Sequence, residues 1–474
     1  MKRLRLDCAA TLAILLAASA LPAARANARD LSDILMDKGL ITRDEKAEAD
    51  RTPTGPTIAY KEGTGFVFAT PDNRFELDLG GYAQFRYTLT DVDNAYQNAG
   101  KGVEDSQSFD FPRVRIWLQG HAFTPRLNYK FESDFTAGGG DIPRDYYLDY
   151  ALVTDGWLNL KGGQWKVPFS RQEMTSDSKQ EFTDRSLAVN NLRFERARGV
   201  QMYGTPLNSL VEYYAGAFNT TGRNGPANPD NNFLYSTRLA VNPLGPIGYS
   251  EADTAWTDTP LLGIGVGYAF EKARADVFTT KATSTTPSGG GSPTLTAGTK
   301  VNNVPFLQTI QPFFNSLSNP GDVTAEVNNL EGDMAFKWMG IFLEAEYMHA
   351  WVSSDQHADA ATPIPPFKRA PNSLEPWGYN AQVGYFVIPK KLELAFRYSE
   401  LTPDQDTTVK KSNGRVIVPR QQEILGAVNY YFWGHNLKLI SDFGQVVSQG
   451  VKDNAGNVED RDDFRLRVQV QLIF

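Results

Sequence analysis

The chain ends in unbroken alternation. Phe464, Leu466, Val468, Val470, Leu472 and Phe474 fall on one face, and Asp463, Arg465, Arg467, Gln469 and Gln471 fall on the other. A period of two marks a strand with one apolar and one polar face. Phe75, Leu77, Leu79, Phe85, Tyr87 and Leu89 repeat the pattern against Glu76, Asp78, Gln84, Arg86 and Thr88. A soluble sandwich buries such apolar faces under a second layer. A transmembrane strand turns them to lipid and needs about 9–11 residues of this kind.

Sixteen segments follow the pattern, at 75–90, 112–123, 126–136, 145–154, 157–167, 197–205, 209–219, 234–242, 261–271, 324–338, 341–352, 377–388, 391–400, 421–433, 436–447 and 463–474. Their links alternate in length. Thr124-Pro125, Asp155-Gly156, Pro206–Asn208, Met339-Gly340, Pro389-Lys390 and Gly434-His435 read as tight turns. Between them lie long polar links at 91–111, 168–196, 272–323, 353–376, 401–420 and 448–462. Short turns at one rim and long loops at the other are the pattern of an outer-membrane barrel, whose even strand number returns both termini to the periplasm. One link departs: 243–260 falls where a short turn is expected. A soluble propeller would show a blade repeat of about 40–50 residues, and the chain has none. The expected fold is all-β: a sixteen-stranded antiparallel transmembrane β-barrel over 66–474, behind a short N-terminal periplasmic helical segment. Tyr146, Tyr147, Trp157, Trp165, Trp338, Trp351, Trp377 and Trp433 lie near strand ends and suit interfacial girdles.

Composition removes the competing classes. A mean hydropathy of −0.38 and the lack of a long apolar run exclude a helical membrane protein. Forty glycines and 12% aromatics argue against disorder. A net charge of −8 gives no reason to expect a nucleic-acid partner, which needs clustered basic charge.

The first residues read as an export signal. Lys2, Arg3 and Arg5 precede the apolar stretch Cys8–Leu21, and Ala24-Arg25-Ala26 and Ala26-Asn27-Ala28 are cleavage-site-like. Cleavage after residue 26 or 28 is expected. Loss of residues 1–26 moves the net charge from −8 to −11 and removes Cys8, the only cysteine. An exported chain without a disulfide must be held by other means. Cys8 precedes the apolar core, the wrong place for a lipoprotein anchor. Residues 27–65 are expected as a periplasmic helical segment and linker. Leu31, Ile34 and Leu35 have helical spacing, Gly39 is a stop, and Thr42 with Glu45 has capping-box spacing.

Parity places Arg86, Arg113, Arg115, Arg465 and Arg467 on polar faces of strands that adjoin once a barrel closes, with Lys130 on the next strand and Arg238 and Arg397 on more distant ones. Arginine holds oxyanions through a planar fork of donors. The bland reading is a lumen of both signs: Glu132, Asp134, Glu344, Glu346, Glu393 and Asp442 share lumen parity. His121, His349, His357 and His435 show no metal-ligand spacing, and neither a G-x-S-x-G nor a Walker A pattern occurs. The acidic stretch Asp453–Asp460 lacks the full EF-hand pattern. No catalysis, metal or other cofactor is expected.

The stretch Leu160–Gly204 contains Gly163-Gln164-Trp165-Lys166-Val167-Pro168-Phe169, then Glu173, Asp184-Arg185-Ser186 and Arg196-Ala197-Arg198-Gly199-Val200. With Gly80-Gly81-Tyr82 and the Phe111–Trp117 strand, it resembles the phosphate-selective porin O/P family of Gram-negative outer membranes. The resemblance extends over 66–474 and touches Leu35–Glu45. It implies a homotrimer in outer-membrane lipid and lipopolysaccharide. It also implies that the third outer loop, 168–196, folds into the pore as the constriction. That loop adds Arg171, Lys179, Arg185, Arg193 and Arg196 to the candidate anion-binding and pore-lining residues, among carboxylates at Glu173, Asp177, Glu181, Asp184 and Glu195. A terminal Phe474 resembles the signal read by barrel-assembly machinery. The implied function is passive diffusion of small hydrophilic solutes, inorganic anions such as phosphate or polyphosphate among them. Two alternatives stand beside it: a general porin with little ion selectivity, and a structural or adhesive barrel with a closed lumen. In the outer loop 272–323, Phe306, Ile310, Phe313, Phe314 and Leu317 form an apolar cluster expected to pack within the loop.

Overall fold

The computed structural model describes residues 35–49, 55–98, 103–136, 143–225, 228, 231–274, 324–354, 373–402 and 420–474. Sixteen antiparallel strands close into one barrel. They are β1 Glu76–Asp91, β2 Ser106–Ala122, β3 Thr124–Asp134, β4 Pro143–Val153, β5 Leu158–Lys166, β6 Arg196–Gly204, β7 Val211–Phe218 and β8 Leu234–Val241. There follow β9 Leu261–Arg274, β10 Thr324–Trp338, β11 Ile341–Ser354, β12 Trp377–Ile388, β13 Leu392–Thr402, β14 Gln421–Trp433, β15 Leu437–Lys452 and β16 Val458–Ile473. Each pairs with its sequence neighbour, and β16 returns to β1 in the register Phe464↔Asp91 to Ile473↔Tyr82. Phe474 completes the seam by exchanging both backbone hydrogen bonds with Gly81, at 3.0 and 3.1 Å. Closure leaves no row of unpaired amides in lipid, where each costs several kcal/mol.

The seam is short of one partner below Gly80, and the chain supplies it. Thr57–Lys61 and Gly65–Ala69 form a hairpin whose second strand pairs with β1 from Phe66↔Leu79 to Ala69↔Glu76. Residues 57–61, expected as linker, are therefore strand.

The burial pattern is that of a membrane barrel. Phe85, Leu148, Val200, Leu239, Tyr268, Phe396 and Val470 lie exposed on the outer wall, while Gln84, Glu132, Gln201, Arg238, Glu344, Arg397 and Asp442 are buried inside. The apolar faces are left for lipid to cover. Trp157, Trp338, Trp351 and Trp433 are among the exposed aromatics. Trp165 and Tyr147 are not girdle residues. The Trp165 ring is buried and its Nε1 donates to Gln201 Oε1 at 3.0 Å, and Tyr147 packs on it edge-on from the same side.

Gly162-Gly163 interrupts the alternation within β5. Gly163 has φ +136°, and a Cβ on it would lie 2.2 Å from the Tyr146 carbonyl oxygen. Only glycine lets β4 and β5 pair so closely at this point. At the tight turn 339–340, Gly340 has φ +83° and a Cβ there would meet the Trp256 ring at 2.4 Å.

The segment 243–260 has no strand, and it turns inward. Ile247, Glu251, Ala252 and Asp253 are buried. The Asp253 carboxylate accepts from the backbone amides of Thr257 and Gly340. Ala252 packs with Phe386 and Tyr431.

In the N-terminal unit, Arg43–Ala49 is helical. Thr42 Oγ1 accepts from the Glu45 amide at 3.2 Å, and Glu45 Oε2 accepts from the Thr42 amide at 2.7 Å, a reciprocal capping box. Gly39, at φ +66°, ends the preceding turn with its amide on Met36 O. The expected export signal and the apolar cluster at Phe306–Leu317 lie outside the described residues.

Candidate functional site

Loop 168–196 crosses the lumen, and three serines shape it. Ser170 caps the helix Arg171–Met174, Ser176 caps the single turn Asp177–Lys179, and Ser186 caps the helix Leu187–Leu192. Such caps satisfy amides that a loop surrounded by protein would otherwise strand.

One side of the loop is anchored to the wall β8–β14. Arg238 is buried between Glu331 at 2.9 Å and Asp333 at 2.6 Å, and its Nη1 donates to Phe169 O at 3.0 Å. Val189 and Leu192 pack with Met348, Ala350, Val352 and Leu401, and Ala188 N donates to Ser399 Oγ at 3.0 Å. The helix can sit this close because β12 presents Gly378, where a Cβ would lie 2.9 Å from Ala188 Cβ. Phe182 lies under the Arg397 guanidinium, 3.9 Å from ring centre to Cζ.

The inward turn braces the loop from the opposite rim. Glu251 Oε2 accepts the Glu181 amide at 2.8 Å, Glu251 Oε1 accepts from Gln172 Nε2 at 3.1 Å, and the Glu251 amide donates to Lys179 O at 2.9 Å. Arg171 is part of this brace. It pairs with Glu344 at 3.2 Å and donates to Gly248 O at 2.6 Å, so it faces the acidic wall and not the other candidate cations.

The remaining candidates stand on β16 and β1–β3 or project from the other side of the loop. Around Asp184 stand Arg86 at 2.8 Å, Arg113 at 2.9 Å and Arg467 at 2.8 Å. Arg465 pairs with Glu423 at 2.9 Å. A second group surrounds Asp177 and Glu173. Arg115 reaches Asp177 at 2.9 Å and Asp134 at 2.8 Å, Arg185 pairs with Glu173 at 2.8 Å and with Asp177, and Arg193 reaches Glu173 at 2.7 Å. Arg196 bonds Asp145 at 2.7 Å and Lys130 bonds Glu132 at 3.0 Å. Lys179 is exposed, and its ammonium makes no hydrogen bond or ion pair among the described residues.

The loop carboxylates are tuned by these partners. Burial opposes ionisation of Glu173, but Arg185 and Arg193 hold it down at about 2. Asp184 is likewise held well below the usual carboxylate range by Arg86, Arg113 and Arg467 against its burial. Glu181 goes the other way. It is fully buried, and Glu393 and Glu251 add like charge, so its carboxyl is pushed well above the usual range.

The lumen is therefore polarised across its width. Cations dominate at β16 and β1–β6, and Glu331, Asp333, Glu344, Glu346 and Glu393 line β10–β13. Two further cations on the basic side escaped the sequence reading. Arg144, which bonds Asp134 and Glu195 at 3.1 Å, sits just before the expected start of its strand. Lys161, 3.2 Å from Asp149 and 4.4 Å over the Tyr147 ring, lies beside the double glycine. Among the described residues no cluster of His, Cys, Asp and Glu has the geometry to hold a metal.

The family described as phosphate-selective porin O and P matches residues 82–260 and 327–472. Among solved structures, the anion-selective porin of Comamonas acidovorans matches with a TM-score of 0.50 at 10% identity, covering 84% of this chain and 99% of its own. The outer-membrane channel DcaP of Acinetobacter baumannii matches with a TM-score of 0.48 at 12% identity, covering 84% of this chain and 97% of its own. OmpF of Salmonella typhi, in complex with daunomycin, matches with a TM-score of 0.45 at 14% identity, covering 85% of this chain and 99% of its own. At such identities the first of these carries a likeness of fold. No curated protein matches the chain in sequence. The family match covers more than half of the chain, which thus belongs to the phosphate-selective porin O and P family and is an outer-membrane diffusion channel.

Proposed function

We propose that this channel passes small hydrophilic anions, phosphate among them, along the basic side of the lumen. The observation that carries the reading is the contiguity of the cations. Arg467, Arg86, Arg113, Arg115 and Lys130 stand on four consecutive strands around the seam, and the four arginines pair with carboxylates of one loop. Arg113 and Lys130 keep 14% and 21% of their side chains open, so the row is not sealed behind its counter-ions. A fixed row of this sign at a narrowing raises the local concentration of anions and the barrier to cations. No step of bond making is needed, and the work of the protein is selection during diffusion rather than catalysis.

The titration that tests it is single-channel recording in KCl with phosphate added. Anion permeation through the row predicts that phosphate lowers the chloride conductance with saturation; conductance indifferent to phosphate overturns the preference. A second reading, a porin of weak selectivity, is favoured by the carboxylates beside almost every arginine.

The same reading assigns residues 1–26 or 1–28 to an export signal that is removed, and 35–49 to the periplasm. It also assigns the assembly to a homotrimer. The support is wall height: β5–β8 have 9, 9, 8 and 8 residues, whereas β15 and β16 have 16 each. Strands of eight fall short of the about 9–11 residues that a tilted strand needs to span lipid, and neighbouring subunits would cover the low wall. Outer-membrane lipid and lipopolysaccharide would cover the taller one.

A further inference from the structure

A cluster of three arginines in the lumen is already filled by a carboxylate of the chain itself. The Asp184 carboxylate receives four guanidinium N–H bonds. Arg86 Nη2 and Arg113 Nη2 donate to Oδ1 at 3.1 and 2.9 Å, and Arg86 Nη1 and Arg467 Nη1 donate to Oδ2, both at 2.8 Å. We propose that Asp184 is a tethered anion seated in a preformed oxyanion site, and that the carboxylate or phosphoryl group of a solute reaches Arg86, Arg113 and Arg467 by displacing it. This rests on the anion-preference reading and names the residue that sets its strength.

Each arginine is held in place by groups other than Asp184. Arg86 Nε and Nη2 donate to Gln469 Oε1 at 3.0 and 2.9 Å. Arg113 Nη1 donates to Gln84 Oε1 at 2.9 Å. Arg467 Nε and Nη2 grip Asp442 at 2.7 and 3.1 Å. The clamp therefore keeps its shape when the carboxylate leaves, which is the condition for a site.

Exposure gives the order from solvent inward. The Asp184 side chain is 32% exposed, while those of Arg86, Arg113 and Arg467 are 9%, 14% and 5% exposed. The carboxylate lies between the open lumen and the arginines. Its backbone does not need to move. Thr183 is fixed to Asp442 through both N and Oγ1, at 2.9 and 2.7 Å, and Asp184 O accepts from Arg397 at 3.0 Å. Rotation of one short side chain empties the seat. Its chemistry is that of any small planar or tetrahedral oxyanion, because forked guanidinium donors do not distinguish a tethered carboxylate from a free one.

The test compares three forms of the full-length protein in planar bilayers: wild type, Asp184→Asn and Asp177→Asn. Asp177 is the control because it carries the same charge in the same loop, pairs with Arg115 at 2.9 Å and with Arg185 outside the clamp, and meets the clamp only through Arg113 Nε at 3.4 Å. In KCl with inorganic phosphate titrated in, Asp184→Asn is expected to show half-block at an about tenfold lower phosphate concentration than wild type. Asp177→Asn is expected to shift the reversal potential without that gain. Equal gains in block for the two variants would make the effect one of net charge and overturn the tethered-anion assignment, as would an unchanged block in Asp184→Asn. Should that variant fail to migrate as a folded barrel, Asp184→Ser is read in the same way. A wild-type protein that does not conduct would overturn the channel reading itself. Conduction with identical block in all three forms would overturn the clamp alone.

Discussion

Glu251 and Glu181 come from opposite rims of the barrel and meet in its lumen, where the carboxylate of the first accepts the backbone N–H of the second at 2.8 Å. Glu251 also accepts from Gln172 and donates its own amide to Lys179 O. The loop that crosses the lumen is thus propped from the far side by the long turn 243–260. A buried, charge-assisted bond of this kind leaves an uncompensated amide when cut.

Replacing Glu251 with Ala is expected to destabilise the loop by about 2–3 kcal/mol. Recordings should show larger and noisier open currents, because the loop loses its prop while the barrel stays closed. Quiet currents of wild-type size would show that the anchors on β8 and β11–β14 suffice alone.

Gly163→Ala is expected to destabilise the barrel by about 1–3 kcal/mol, through a disfavoured φ and a clash with the Tyr146 carbonyl. The temperature at which the folded band converts to the slower unfolded one on semi-native gels measures it. The same heating step tests the barrel in wild type, since a closed barrel in detergent migrates differently before and after boiling.

Arg113→Gln removes a partly open cation that is bonded to Asp184 and Asp177. Chloride preference over potassium is expected to fall roughly twofold, as one member of a charged row is lost. The reversal potential in a KCl gradient reads the change, and no shift would remove Arg113 from the selecting row.

The pH dependence has a definite sign. The folded value of Glu173, about 2, lies below the ordinary glutamate value of about 4.3. Its stabilisation is therefore complete above the ordinary value and is lost as pH falls through the folded one. Loop attachment should hold at pH 5 and weaken between about pH 4 and 2. Melting temperatures across that window, compared with Glu173→Gln, give the difference. Glu181 has the opposite sign, because its folded value is raised. Its contribution is full at low pH and declines as pH rises through that value.

The strands were legible where both faces had a partner that punished error. Thr324–Trp338, Trp377–Ile388 and Gln421–Trp433 begin and end where alternation does, because lipid on one side and a polar lumen on the other enforce it. Strands that rise above the apolar band were read short. Ser106–Ser108 and Val458–Asp462 still pair, at Ser106↔Thr90 and Val458↔Lys452, but no lipid selects an apolar face there. Parity carried Arg86, Arg113, Arg115 and Arg467 to the lumen. It carried no information on Asp184, whose arginine partners lie 98, 71 and 283 residues away in sequence. The odd length of 243–260 was visible as an exception, but its inward path depends on meeting a loop from the other rim. Arg171 was grouped with the other loop cations and stands among carboxylates of the far wall for the same reason.

In the proposed function the row Arg467, Arg86, Arg113, Arg115 and Lys130 outweighs the carboxylates beside it and makes the channel prefer anions. The most direct test is the zero-current potential of the purified wild-type protein across a tenfold KCl gradient in a planar bilayer. A potential with the sign set by chloride, growing as the salt is diluted and screening weakens, is the predicted result. A potential set by potassium would contradict it.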